Sequence, residues 1–196
     1  MSRIVRPRST IARPADATAY AAGDEISNSA SAGSVVRATF DMRGLEQGKI
    51  LSAHLDLTTG DASNVVTTAS DIELLIFRTA DVPAAVGDNV TNPITAATRA
   101  KAVARFRFDD TGWTGELGTV AASKTQGQWV MPTLVQPLAT NVLEYPVYAF
   151  SYSFLTDGQV LGATGAQFTA VLRALAAWTP LGVVNTFGIT LDIEVP

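Results

Sequence analysis

Hydrophobic and polar positions alternate with a period of two through most of this chain. In residues 50–58, Leu51, Ala53, Leu55 and Leu57 fall on one face and Ser52, His54 and Asp56 on the other. That spacing predicts a strand with one face in a core. Residues 186–195 repeat the pattern with Phe187, Ile189, Leu191, Ile193 and Val195. Residues 103–109 set Ala104, Phe106 and Phe108 against Val103, Arg105 and Arg107, which gives one apolar and one largely basic face. Residues 35–42 also alternate and predict a strand. Residues 71–79 break the rule, because Ile72, Leu74 and Ile76 share one face while Leu75 and Phe77 occupy the other. A strand apolar on both sides is a central one covered twice, or one with a face in a subunit contact.

The remaining segments are read from punctuation as well as period. Residues 81–98 hold Pro83, Gly87 and Pro93 and predict a long irregular connection, with a helical turn near residues 95–104. Residues 111–125 are Gly-rich, and residues 128–138 are extended but interrupted by Pro132 and Pro137, as at an edge or bulge. Residues 146–155 line up Tyr148, Phe150, Tyr152 and Phe154, either to fill a core between sheets or to face a sister subunit. Residues 168–178 are rich in Ala and Leu, yet Phe168, Ala170, Leu172, Ala174, Ala176 and Trp178 form a period-two row between loops, so a strand is expected. Residues 1–19 contain Pro7 and Pro14 and show no clear period beyond a short strand at 9–12. They predict an extended basic N-terminal arm ahead of a domain spanning 20–196. Nine or ten strands with no helix–strand alternation predict an all-β fold, an antiparallel two-sheet β-sandwich of jelly-roll type.

Composition narrows the function. The chain has 196 residues, of which 47% are hydrophobic and 16% charged, with no Cys and a single His. A core of this size needs no disulfide or metal, and the lack of Cys removes thiolate zinc sites and thiol nucleophiles. His54 is the only imidazole, and its period places it on a polar strand face. A Ser-His-Asp nucleophile would depend on it, and no Gly-x-Ser-x-Gly elbow is present. Asp24-Glu25 and Asp109-Asp110 are adjacent pairs, which point to opposite faces of an extended backbone. A calcium ion held by loop carboxylates stays open, but no metal or cofactor is expected. The Asn89-Val90-Thr91 sequon is taken as chance, since the N-terminus lacks the apolar stretch of a signal peptide. With no apolar run of about 18–20 residues, the chain is expected to be made in a cytoplasm. These features point away from an enzyme and toward a structural or binding protein.

Charge is uneven. Arg3, Arg6, Arg8 and Arg13 stand in the first 13 residues without an acidic partner, although the formal net charge is −4. A basic arm on an acidic body is expected to dock on an acidic surface.

Three stretches in order resemble a known family: residues 16–27 (DATAYAAGDEIS), residues 70–77 (SDIELLIF) with Gly87-Asp88-Asn89, and residues 174–180 (ALAAWTP) with the terminal strand. From about residue 14 onward the chain resembles the capsid decoration (cement, or head auxiliary) proteins of tailed bacteriophages. The resemblance implies a jelly-roll protein on the outer surface of an icosahedral head, commonly a homotrimer. Its partners would be the major capsid protein and itself, with no nucleic acid, membrane or catalytic residue involved. It would be made in the host cytoplasm and reside on the capsid exterior. Arg3, Arg6, Arg8, Arg13, Arg105 and Arg107 are then the candidate contact residues. Deleting residues 2–13 would leave the domain folded but weaken assembly. The alternatives are a carbohydrate-binding sandwich of a phage tail or fibre, using Trp113, Trp129 or Trp178, and a glycosidase.

Overall fold

The computed structural model describes residues 2–42, 47–59, 71–108, 113–115, 128–130, 148–151, 167–180, 182 and 184–195. Among them are thirteen strands: β1 (Arg3–Val5), β2 (Arg8–Arg13), β3 (Asp24–Ile26), β4 (Thr39–Asp41), β5 (Gln47–Thr59), β6 (Ile72–Arg78), β7 (Val90–Thr91), β8 (Ala104–Phe108), β9 (Trp113–Gly115), β10 (Gln128–Val130), β11 (Tyr148–Ser151), β12 (Gln167–Ala174) and β13 (Asn185–Val195). One helical turn, α1 (Ala96–Arg99), stands between β7 and β8.

All pairings are antiparallel and fall into two sheets. Sheet 1 runs β1–β13–β5–β10–β9, with β2 also on β13 and β11 also on β5; sheet 2 runs β7–β3–β12–β6–β8, with β4 also on β12. The expected all-β two-sheet sandwich is therefore the fold. Residues 116–127, 131–147 and 152–166, through which the expected jelly-roll winding would pass, lie outside the described residues, as do Tyr152 and Phe154.

The core lies between the sheets and follows the period-two faces. Ala53, Leu55 and Leu57 of β5 meet Phe187, Ile189, Leu191 and Ile193 of β13, together with Ile72, Leu74 and Ile76 of β6, Phe106 and Phe108 of β8, and Phe168 and Leu172 of β12. Each large apolar side chain so buried contributes about 1.5–3 kcal/mol. The ambiguous residues 168–178 form strand β12 up to Ala174, paired along seven positions with β6. Tertiary pairing overrides the helix propensity of Ala and Leu there.

Three expectations are corrected. Leu51 is not in the core face: it is 38% exposed, and Ile50 is buried instead. The cause is a β-bulge, since Asp192 faces Ser52 but Ile193 faces Ile50, leaving Leu51 as the extra residue. Within residues 35–42 only Thr39–Asp41 pair as a strand. Before them the Val36 N–H is taken by the Asn28 side chain at 2.6 Å, and the Arg37 side chain is drawn onto Glu25 at 2.8 Å. Such local bonds compete with the ladder.

The third correction concerns residues 3–13. They are a sheet edge rather than an arm awaiting a partner. Arg3 faces Val195 and Arg13 faces Asn185 in one unbroken register along β13. The break between β1 and β2 falls at Pro7, which has no N–H to give the ladder; its carbonyl still accepts from the Leu191 N–H at 3.1 Å. Ile11 and Arg13 are buried. Deleting residues 2–13 would thus remove an edge strand and part of the core.

Candidate functional site

Tyr20, Asp88 and Trp178 are far apart in sequence but meet around one buried junction. Tyr20 and Trp178 exchange backbone hydrogen bonds, Tyr20 N to Trp178 O at 2.7 Å and Trp178 N to Tyr20 O at 3.2 Å. Their rings stack with centroids 5.4 Å apart, and Trp178 meets Phe187 edge-on at 6.3 Å. The Tyr20 hydroxyl donates to Asp88 Oδ1 at 2.6 Å, and the same oxygen accepts from the Ser27 N–H at 2.8 Å. Arg13, from β2, donates through Nε to the Tyr20 hydroxyl at 3.0 Å and through Nη2 to Asp16 at 2.9 Å.

Asp88 reaches this position because of its turn. Gly87 has φ +107°, a left-handed conformation that favours glycine, and a Cβ there would strike the Ala30 carbonyl oxygen. The Asp88 N–H then donates to Ser29 O at 2.6 Å and the Asn89 N–H to Glu25 O at 2.9 Å. Burial raises the Asp88 carboxyl above its ordinary value, although bonds from Tyr20 and Ser27 and the charge of Arg13 oppose this. Burial also raises the Tyr20 phenol, with Asp88 adding to the effect. Both groups hold structure: the junction joins β2 and β13 of sheet 1 to β3 and the residue 87–92 turn beside sheet 2.

A second network occupies the outer face of sheet 2. Register places Arg107, Glu73, Arg173 and Glu25 in one row across β8, β6, β12 and β3, so charges alternate from strand to strand. Glu73 is fully buried and accepts from Arg105 Nε at 2.6 Å and Arg173 Nη1 at 2.9 Å. Arg99, from α1, brings its Nε to 3.4 Å from the same carboxylate. Glu25 accepts from Arg37 at both oxygens, 2.8 Å each, and from the Asn92 amide at 2.6 Å. Burial lowers Arg173 below its usual value; Glu73 opposes this, while Arg99 and Arg105 add to it. Beside the ions, Leu75, Phe77, Ile94 and Val171 form a second apolar cluster, with Val82 and Ala102 packed against it. The segment between β6 and β8 thus roofs this sheet, and the both-sided apolar pattern of β6 means double coverage within one chain.

The outer face of sheet 1 carries a third group. Asp192 Oδ1 accepts from Arg6 Nε at 2.7 Å; its Oδ2 accepts from the Ser52 hydroxyl at 2.7 Å and lies 2.8 Å from His54 Nε2. Here the carboxylate is the hub. In a nucleophilic triad the imidazole would stand between acid and hydroxyl, so these residues do not form one. Burial would raise the Asp192 carboxyl, but the bonds from Ser52, Arg6 and His54 prevail and hold it at about 2. Next to this group, Arg8 Nη2 donates to Asp56 Oδ2 at 2.8 Å. The pair closes over Gly188, where a Cβ would lie 2.5 Å from Asp56 Oδ2.

The candidate contact residues are therefore dispersed. Arg6, Arg8 and Arg13 are held by Asp192, Asp56 and Asp16. Arg105 is held by Glu73, and Arg107 bonds Asp71. Arg3 is exposed and forms no ion pair among the described residues. Trp178 is 8% exposed and stacked, so no sugar-binding face is left on it. The side chains of Trp113 and Trp129 lie outside the described residues. Sequence reasoning missed Glu73, Asp88, Arg99 and Arg173. Glu73 and Arg173 had a signal, a charge amid strand residues apolar on both sides, which requires a buried counter-ion. Among the described residues no group of three or more His, Cys, Asp or Glu could hold a metal ion, and no helix is long and apolar enough to cross a membrane. No family model matches this chain, and no curated protein matches its sequence.

Proposed function

We propose that this chain is a virion structural protein that binds the outer surface of a phage head and stabilises contacts between major capsid subunits, as a homotrimer. The observation that supports this reading is the convergence of the three resemblance stretches. Tyr20, Asp88 and Trp178 stand in different stretches, yet Tyr20 bonds Asp88 through its hydroxyl and stacks on Trp178. Stretches that together build one junction support reading them as parts of one architecture. Extensive internal neutralisation of charge is consistent with a rigid body whose work is contact rather than chemistry.

The test is cosedimentation of the purified protein with purified phage heads lacking their decoration protein. Saturable binding with a stoichiometry set by the head lattice is expected. A protein that stays in the supernatant at all concentrations would sink the reading. Sedimentation velocity of the free protein checks the trimer separately.

A further inference from the structure

One edge of sheet 1 is open along its whole length. β1 and β2 pair with β13 from Arg3 opposite Val195 to Arg13 opposite Asn185, and no described residue pairs with their other side. The Pro7 carbonyl accepts from the Leu191 N–H, so the Pro7 backbone faces β13. Backbone polar groups alternate in direction along an antiparallel strand. Those of Val5, Ser9, Ile11 and Arg13 therefore face β13 as Pro7 does. Those of Ile4, Arg6, Arg8, Thr10 and Ala12 point away from the sheet, and each of these residues is exposed. Long edges are normally blunted by a proline, a bulge or a covering segment. Pro7 removes an inward donor and no outward one, and the register against β13 is unbroken. The edge thus presents roughly 35 Å of unused ladder.

We infer that the outward edge of β1 and β2 is a docking site for an extended segment of a partner protein, which adds to sheet 1 as a further strand through its main chain. The side chains decide against a second copy of this chain. Arg6 and Arg8 occupy successive outward positions, with side chains 69% and 55% exposed. Two copies paired antiparallel about the middle of the edge would set Arg8 against Arg8, or Arg6 against Arg8. Like charges directly opposite are destabilising. The segment that fits is extended and carries no basic residue at the positions facing Arg6 and Arg8. β13 is a segment of that kind: it pairs with these strands from the inner side and has Asp192 and Glu194 but no Lys or Arg. The inference goes beyond the head-binding reading and does not rest on it.

The experiment adds a peptide with the sequence of residues 185–195 to the full-length protein and follows binding by fluorescence anisotropy and amide hydrogen exchange. The peptide should bind, and it should slow exchange at Arg6, Arg8 and Thr10, which exchange fast in the free protein. Thr10→Pro deletes an outward N–H and leaves the β13 ladder intact, as a proline at an edge can. It should weaken binding about tenfold, the scale of one backbone hydrogen bond. Thr10→Val keeps the N–H and should bind as the wild type does. Ala12→Pro deletes another outward N–H and takes over if Thr10→Pro loses its fold by circular dichroism. A peptide carrying Asp192→Lys and Glu194→Lys should bind more weakly than the native sequence. No peptide binding by the wild type, or equal binding by the wild type and the proline variants, overturns the site. Outward amides already protected in the dilute free protein would show the edge to be covered and overturn it too. Protection that grows with protein concentration, without peptide, overturns the choice of a partner protein in favour of a second copy. Equal or tighter binding of the lysine peptide overturns the exclusion of basic segments.

Discussion

The two outer faces of the sandwich bury charge in different ways. On sheet 1, Asp192 is ringed by Arg6, Ser52 and His54, and the Arg6 side chain is 69% exposed. On sheet 2, Glu73 is completely buried beneath the segment that joins β6 to β8. The same kind of strand position, one that points away from the sandwich core, is therefore wet in one sheet and dry in the other. The difference is energetic. A half-exposed pair is screened by water and contributes little, while a buried one leaves a large penalty if either partner is lost.

Removing the anions should break that comparison open. Glu73→Ala leaves Arg105 and Arg173 facing each other in a dry site with Arg99 beside them. It should cost about 3–5 kcal/mol in urea unfolding. A loss below about 1 kcal/mol would show that the roof admits water and that the two faces are alike. Gly188→Ala tests sheet 1 at its tightest point, because the added methyl group displaces the Asp56 carboxylate and parts it from Arg8. A loss of about 1–2 kcal/mol is expected from the crowding, with an accompanying change in salt dependence.

The smallest effect is read from pH. Asp192 is held at about 2, below its reference of 3.8. A carboxyl depressed on folding adds stability that is present above the unfolded value and is lost as pH falls from about 3.8 toward 2. The contribution is about 1–2 kcal/mol once solvent screening is discounted. Asp192→Asn should flatten this part of the stability–pH curve, measured as the urea midpoint between pH 5 and pH 2. A curve unchanged by the substitution would mean that Arg6, Ser52 and His54 do not hold the carboxylate.

Several elements were plain from the residues. The alternation in β5, β8 and β13 set most of their core faces, while the both-sided apolar pattern of β6 left double cover and a subunit contact open, and the packing of Ile94, Val82 and Ala102 on its outer face decided for cover within the chain. Other features were hidden because they depend on contacts distant in sequence. The bulge at Leu51 arises from a shift of register against β13 and leaves no mark in the local pattern of β5. The basic segment at the N-terminus looked like an arm because the first 13 residues hold no acid, yet Asp16 just beyond them pairs with Arg13, and Asp192, Asp56 and Asp88 come to Arg6, Arg8 and Arg13 in space.

For this protein the sequence by itself determined which positions are apolar, and hence the all-β class and most of the core, because strand period is a local property. It also determined that the chain has a single imidazole and no thiol. Only the tertiary structure decided the fate of the charges. Whether an arginine is a free cation or half of a closed pair depends on which strands become neighbours. That arrangement brought Arg13, Tyr20, Asp88 and Trp178 into one junction and gathered Arg99, Arg105 and Arg173 around the buried Glu73 carboxylate.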